Sequence, residues 1–299
     1  ATWAHESLQF SLQYGGAPNS IGRKSRCAAG QLLDEGRSQQ RALGGALRRA
    51  YVGSNASVYG LLPDEITPQL PASVALRSSS IERAILSGQE LMTGLLAPHR
   101  QRPDRPGGSP AGPSGADFVW TIADKNGDWI FANPVACPRL KQIAEDVEAA
   151  FAGDAAAVAE QRTRHLLEES IGQGVLATLR GNGALDCLMT TACQAAVDSG
   201  AHLPEALSGQ LLQDTWGAIQ AAETRLLTHA NASFSRLAMG PLWSEVMERA
   251  RCPLRGFLGC AKVSLWSGHD TTIMPFLAAV GAFDGHWSPY ASSVVIESW

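Results

Sequence analysis

Ser267-Gly268-His269-Asp270-Thr271-Thr272 is the stretch of this chain best equipped for chemistry. Gly268 permits a sharp turn out of a strand, and His269 and Asp270 would then stand at its edge, with Asp270, Thr271 and Thr272 available to cap a following helix. The free N–H groups and dipole of a helix amino end attract anions. A histidine there can balance charge on a phosphate, and a protonated aspartic acid can pass its proton to a departing oxygen. The plainer alternative is an N-cap aspartate beside a surface histidine. Arg77 ends an apolar run and precedes Ser78, Ser79 and Ser80. Its planar fork suits bidentate capture of phosphate or carboxylate; the alternative is a structural salt bridge, for example with Glu82. Arg83, further along the same helix, is expected to support that helix rather than a ligand.

The other six histidines (His5, His99, His165, His202, His229 and His286) lack a paired acid or a Gly-rich turn. They read as surface or packing residues. No G-x-S-x-G elbow, P-loop or dinucleotide fingerprint occurs, which argues against serine hydrolases, nucleotide hydrolases and dehydrogenases. The six cysteines contain no Cys-x-x-Cys and no histidine at ligand spacing, so they do not form a zinc motif. An even count permits three disulfides. Cys252 and Cys260 flank a short Pro- and Gly-containing turn and are expected to bridge; Cys187 and Cys193 are a second local candidate. Two N-x-S sequons, Asn55-Ala56-Ser57 and Asn231-Ala232-Ser233, point with the cysteines towards an oxidising, secretory compartment.

The elements that would position these residues follow from periodicity. Asp34 to Val52 reads as a helix, with Leu43, Ala46, Leu47, Ala50 and Tyr51 on one face and Arg41, Arg48 and Arg49 elsewhere. Residues 72–76 read as a strand that turns through the serines into a helix carrying Ile81, Ile85, Leu86, Met92, Leu95 and Leu96. Pro and Gly dominate 98–115, a loop. The runs on either side of Lys125-Asn126-Gly127-Asp128 predict a hairpin. Helical patterns fill 139–249, a helical cap subdomain set into or over a sheet. Ala261 to Trp266 reads as a buried strand, 270–281 as a helix and Ser293 to Trp299 as a last strand. Strand–turn–helix units at both candidate sites predict an α/β domain, whose ligands lie beyond the carboxyl ends of its strands.

The bulk properties bound the answer. At 299 residues, 45% of them hydrophobic and 17% charged, the chain can bury a large core. Its formal charge of −4 argues against sequence-independent nucleic-acid binding. No uncharged apolar run reaches the roughly 18 residues of a membrane span. No signal peptide is visible, and Ala1 reads as a processed or trimmed end.

The segment from Leu265 to Trp299 resembles the carboxyl-terminal signature of the histidine acid phosphatases (histidine phosphatase superfamily, branch 2). In that family Ser-Gly-His-Asp precedes a helix, an aromatic-Pro-Tyr-Ala-Ser stretch and an Ile-Glu strand. VALRSSSIERAILSGQELMTGLL (74–96) resembles its second motif, GQLLDEGRSQQRALGGALRRAY (30–51) its first helix, ANPVACPRL (132–140) a Cys-Pro-Arg segment and MGPLWSEV (239–246) a late helix. The Cys before GQLL is most similar to the 2-phosphoxylose phosphatase branch, a Golgi membrane-anchored group acting on a sugar phosphate. The resemblance implies a three-layer αβα domain like phosphoglycerate mutase. It implies hydrolysis of phosphomonoesters, small-molecule or glycan, through a phosphohistidine and without metal or other cofactor. Arg77 and His269 would bind the phosphate, with His269 as a cation, and Asp270 would protonate the leaving group. A Golgi, lysosomal or extracellular location is implied, and assembly as a homodimer is left open.

The chain departs from the family at its nucleophile. No Arg-His-Gly occurs, and Ala4-His5-Glu6 lacks both arginines and the glycine. His5 is expected to be an ordered loop residue rather than a degenerate nucleophile, and the chain to begin after the motif and to stop short of its relatives. The rival expectation is a phosphatase-like binding or structural protein without catalysis. A phytase-like activity would need a strongly basic pocket, which the four lysines do not favour.

Overall fold

The computed structural model describes residues 2–5, 8–14, 30–96, 117–154, 209–254 and 259–298, with a few helical residues between 157 and 190. The loop expected at 98–115 lies outside the described residues, as do Cys27, Cys187 and Cys193. The chain divides into two compact units. One comprises Ala1–Cys137, Ala238–Phe276 and Ser288–Trp299; the other comprises Pro138–Leu237 and Leu277–Trp287.

The first unit is built on a five-stranded sheet of order β1-β2-β4-β3-β5. The strands are β1 (Thr2–His5), β2 (Leu8–Tyr14), β3 (Val74–Ser78), β4 (Asp117–Ile122) and β5 (Val263–Ser267). β1 runs antiparallel to β2, and every other pairing is parallel. Between β3 and β4 the chain passes through α2 (Glu82–Leu96), a crossover of the kind parallel neighbours require. This is the α/β arrangement expected from the two strand–turn–helix units.

The helix predicted over 34–52 is α1 (Asp34–Tyr51), but its buried residues are Gly44 and Arg48 rather than the apolar face. The reason lies in its partner. A Cβ on Gly44 would stand 2.1 Å from the Leu91 carbonyl oxygen, and one on Gly94 2.1 Å from that of Arg41. The two backbones therefore meet at glycines, and Arg48 is buried beside the contact. Arg48 donates to the Leu95 carbonyl (3.1 Å) and to Asp64 (3.3 Å). Buried Glu90 of α2 takes both Arg37 and Arg41. Leu76 of β3, Phe118 and Trp120 of β4, and Met92, Leu95 and Leu96 of α2 close the core around Val52, Leu62, Leu70 and Val74.

Two expected strands are absent. After β4 the chain does not return as a hairpin. Instead the Asn133 amide donates to the carbonyls of Lys125, Asn126 and Asp128 and holds 125–133 as a compact loop. A side chain there satisfies carbonyls that a ladder would otherwise use. Residues 293–298 form no strand and have no ladder partner among the described residues, and Val294, Val295 and Ile296 are exposed.

In the second unit lie α3 (Arg139–Phe151) and the first part of α4 (Gln210–Leu254). Arg225 pairs with Asp154 at 3.5 Å and covers the Phe151 ring. Trp216 packs on Trp287, with ring centroids 5.7 Å apart. α4 breaks at 229–232, where Ala230, Asn231 and Ala232 take left-handed backbone. Cys252 and Cys260 are disulfide-bonded with Cα atoms 5.8 Å apart, as their spacing predicted, and Cys137 is free. The last helix is α5 (Asp270–Ala279).

Candidate functional site

β3 and β5 are parallel neighbours whose register pairs Arg77 with Trp266 and Ser78 with Ser267. The two polar turns singled out in the sequence therefore leave the same edge of the sheet side by side. One residue beyond the ladder, the Ser79 amide donates to the Ser267 carbonyl at 3.1 Å. The Ser79 hydroxyl lies 2.8 Å from His269 Nε2. Phe131 presents an edge-to-face contact to the imidazole, with centroids 6.0 Å apart.

The start of α5 is closed by His269, not by Asp270. The amides of Thr272 and Ile273 donate to the His269 carbonyl, and Thr272 Oγ1 accepts the His269 amide at 2.9 Å. The threonine supplies the returning half of a capping box, while the His269 side chain faces Ser79 instead of the helix amides. It also accounts for Gly268, where a Cβ would stand 2.4 Å from Thr272 Oγ1. Asp270 accepts the Thr271 amide at 2.7 Å. Burial, reinforced by the positive charge of Arg83, lowers the His269 pKa to about 4. Without an anion beside it, the ring is therefore predominantly neutral at pH 5 and above.

Arg77 is buried and engaged. One terminal nitrogen donates to Asp128 Oδ1 at 2.7 Å, the other to Glu245 Oε2, and its guanidinium lies 4.9 Å from the centre of the Trp129 ring. Glu245 is further held by the indoles of Trp266 (3.1 Å) and Trp129 (3.3 Å). Asp128 is fully buried; its Oδ1 also accepts the Ile130 amide, while Oδ2 has no hydrogen-bond partner among the described residues. Burial raises the Asp128 pKa, against the lowering pull of the Ile130 amide and Arg77. The salt-bridge alternative for Arg77 is thus realised, with Asp128 and Glu245 in place of Glu82. Spacing alone does not tie Asp128, Glu245, Ser79 or Phe131 to this corner.

His5 ends a strand, contrary to its reading as a loop residue. That strand is the antiparallel edge of the sheet, and His5 pairs with Leu8 at the start of β2. β2, β4, β3 and β5 all run parallel, so His5 stands at the amino end of the parallel strands. Arg77 and His269 stand at the carboxyl end, with β1 three strand intervals from β3. At about 4.8 Å per interval that is about 14 Å across the sheet alone.

Arg77, His269 and the amino end of α5 thus stand at one carboxyl edge of an α/β sheet, the edge beyond which such sheets hold their ligands. Among the described residues no group of three or more His, Cys, Asp or Glu side chains is placed to hold a metal ion, and no helix is long and apolar enough to cross a membrane. Residues 5–192 match the histidine phosphatase superfamily (branch 2), and the chain belongs to that family. It is 25% identical over 283 residues to counting factor 60 of Dictyostelium discoideum, covering 94% of this chain and 62% of that one. A probable acid phosphatase of Schizosaccharomyces pombe is 25% identical over 288 residues, 91% of this chain and 55% of the relative. The testicular acid phosphatase of Homo sapiens is 28% identical over 292 residues, 90% and 58% respectively. The chain therefore spans little more than half the length of these curated relatives.

Proposed function

We propose that the carboxyl edge of β3 and β5 is a phosphate site, and that the complete protein hydrolyses phosphomonoesters. Family membership supports the chemistry, and the pairing of β3 with β5, which brings the turns after Arg77 and before His269 side by side, is the observation that carries the site. Arg77 brings a guanidinium shared with Asp128 and Glu245, and His269 a directed N–H. Asp270, at the start of α5, is the candidate acid for the leaving oxygen. A sugar phosphate is the substrate class the sequence resemblance favours. The Cys252–Cys260 bridge and exposed Asn55 fit an oxidising, secretory route.

For the 299-residue chain itself the reading is anion binding. In the first unit the described histidines are His5 and His269, and His5 stands at the far end of the sheet. Inorganic phosphate or tungstate should raise the melting temperature, and Arg77→Ala or His269→Ala should abolish the rise. Removing one charge-assisted hydrogen bond should cost about 1.5–3 kcal/mol of binding. An unchanged ligand-induced rise in both variants would refute the shared site.

A further inference from the structure

We infer that Ser79 is a positioning residue that fixes the tautomer of His269: its hydroxyl donates to Nε2, so that the ring proton resides on Nδ1 and Nδ1–H is the donor offered to an anion.

Ser79 is fully buried, and its oxygen has two partners, the Ile81 amide at 3.5 Å and His269 Nε2 at 2.8 Å. An amide N–H can only donate, so the hydroxyl oxygen accepts from Ile81. The hydroxyl proton is then left with a single acceptor, Nε2. The reverse assignment, Nε2–H to oxygen, would leave a buried hydroxyl proton with no acceptor among the described residues, which folded interiors avoid. A tautomer has meaning only in the uncharged ring, and burial together with Arg83 keeps His269 uncharged at neutral pH. The backbone on both sides of this contact is fixed, and the ring has a second neighbour. The Ser79 amide extends the β3–β5 ladder onto Ser267, Thr272 Oγ1 grips the His269 amide, and Phe131 meets the imidazole edge to face. Among the described residues Nδ1 has no protein hydrogen-bond partner. The consequence for a ligand rests on the phosphate-site reading; the tautomer itself does not.

The test is long-range 15N–1H correlation NMR at pH 7 on chain labelled with 15N-histidine, with His269 assigned by its loss in His269→Gln. The expected spectrum of the free protein shows protonated Nδ1 and unprotonated Nε2. Ser79→Ala should shift the ring towards Nε2–H, the form free histidine favours, and Ser79→Thr should restore Nδ1–H. A wild-type ring protonated on Nε2, or a pattern unchanged in Ser79→Ala, would overturn the assignment. Should Ser79→Ala fail to fold, the wild-type and Ser79→Thr spectra decide. Titration with inorganic phosphate separates the two claims. The expected tautomer with no phosphate-dependent shift at either ring nitrogen supports Ser79 as the positioning residue and removes the phosphate-site reading.

Discussion

The depressed pKa of His269 makes the stability of this fold depend on pH in a definite direction. An ordinary histidine titrates near 6.5 and His269 near 4. Between those values the unfolded chain binds a proton that the folded chain refuses, so protons favour unfolding. The contribution is fully present above pH 6.5, is lost as pH falls from 6.5 towards 4, and changes no further below that. At about 1.4 kcal/mol per pKa unit the whole effect is about 3 kcal/mol, of which about 2 kcal/mol is lost between pH 7 and pH 5. Other groups titrate in the same range, so the informative quantity is a difference. Urea unfolding followed by tryptophan fluorescence at pH 7, 6 and 5 would compare the wild type with His269→Gln, which cannot take the proton. The variant should be the less stable at pH 7, having lost the Ser79 contact and ring packing, and the gap should narrow by about 2 kcal/mol by pH 5. Replacing Arg83 with Met should narrow the wild-type loss, since its charge is the smaller of the two causes. Parallel pH profiles for wild type and His269→Gln would refute the claim that a buried neutral imidazole sits at this position.

Asp128→Asn should destabilise the fold by about 3–5 kcal/mol, as removal of one partner from a buried ion pair does, and Glu245→Gln by less because Glu245 is partly exposed; thermal unfolding of both variants checks the order. Gly44→Ala should cost about 1–3 kcal/mol by overpacking where α1 meets the Leu91 carbonyl, read as a lowered melting temperature. The 299-residue chain should not turn over an aryl phosphate at pH 5 above background, and His5→Ala should leave that result unchanged. Each transition-state stabiliser is worth roughly 10²–10³ in rate, so activity that disappears in His5→Ala would overturn the reading of His5 as a residue outside the site.

Local rules were legible in the sequence and long-range ones were not. α1, α2, α5, β3 and β5 follow from apolar periodicity and from the turn residues between them, and the Cys252–Cys260 bridge follows from eight residues of separation. The hairpin expected after β4 failed because Asn133 offered the loop carbonyls a side-chain donor, a competition that strand patterning does not register. The partners of Arg77 illustrate the harder limit. Asp128 is 51 residues away and Glu245 is 168, and neither stands in a recognisable motif with it.

A physical signal for both carboxylates nevertheless lay in the sequence, because charge in an apolar setting demands a partner. Asp128 directly precedes Trp129-Ile130-Phe131. Glu245 follows Ala238 and Leu242 at helical spacing, and both of those are buried. An arginine buried at a strand end poses the complementary demand. Matching unpaired buried charges by sign, before any contact is known, would have nominated Asp128 and Glu245 as partners for Arg77 ahead of Glu82, which lies on the first turn of α2. The match also bears on function. An arginine already balanced by two carboxylates meets a phosphate dianion with little charge to spare, unless a carboxylate takes up a proton. Burial raises the Asp128 pKa, the direction that favours such uptake.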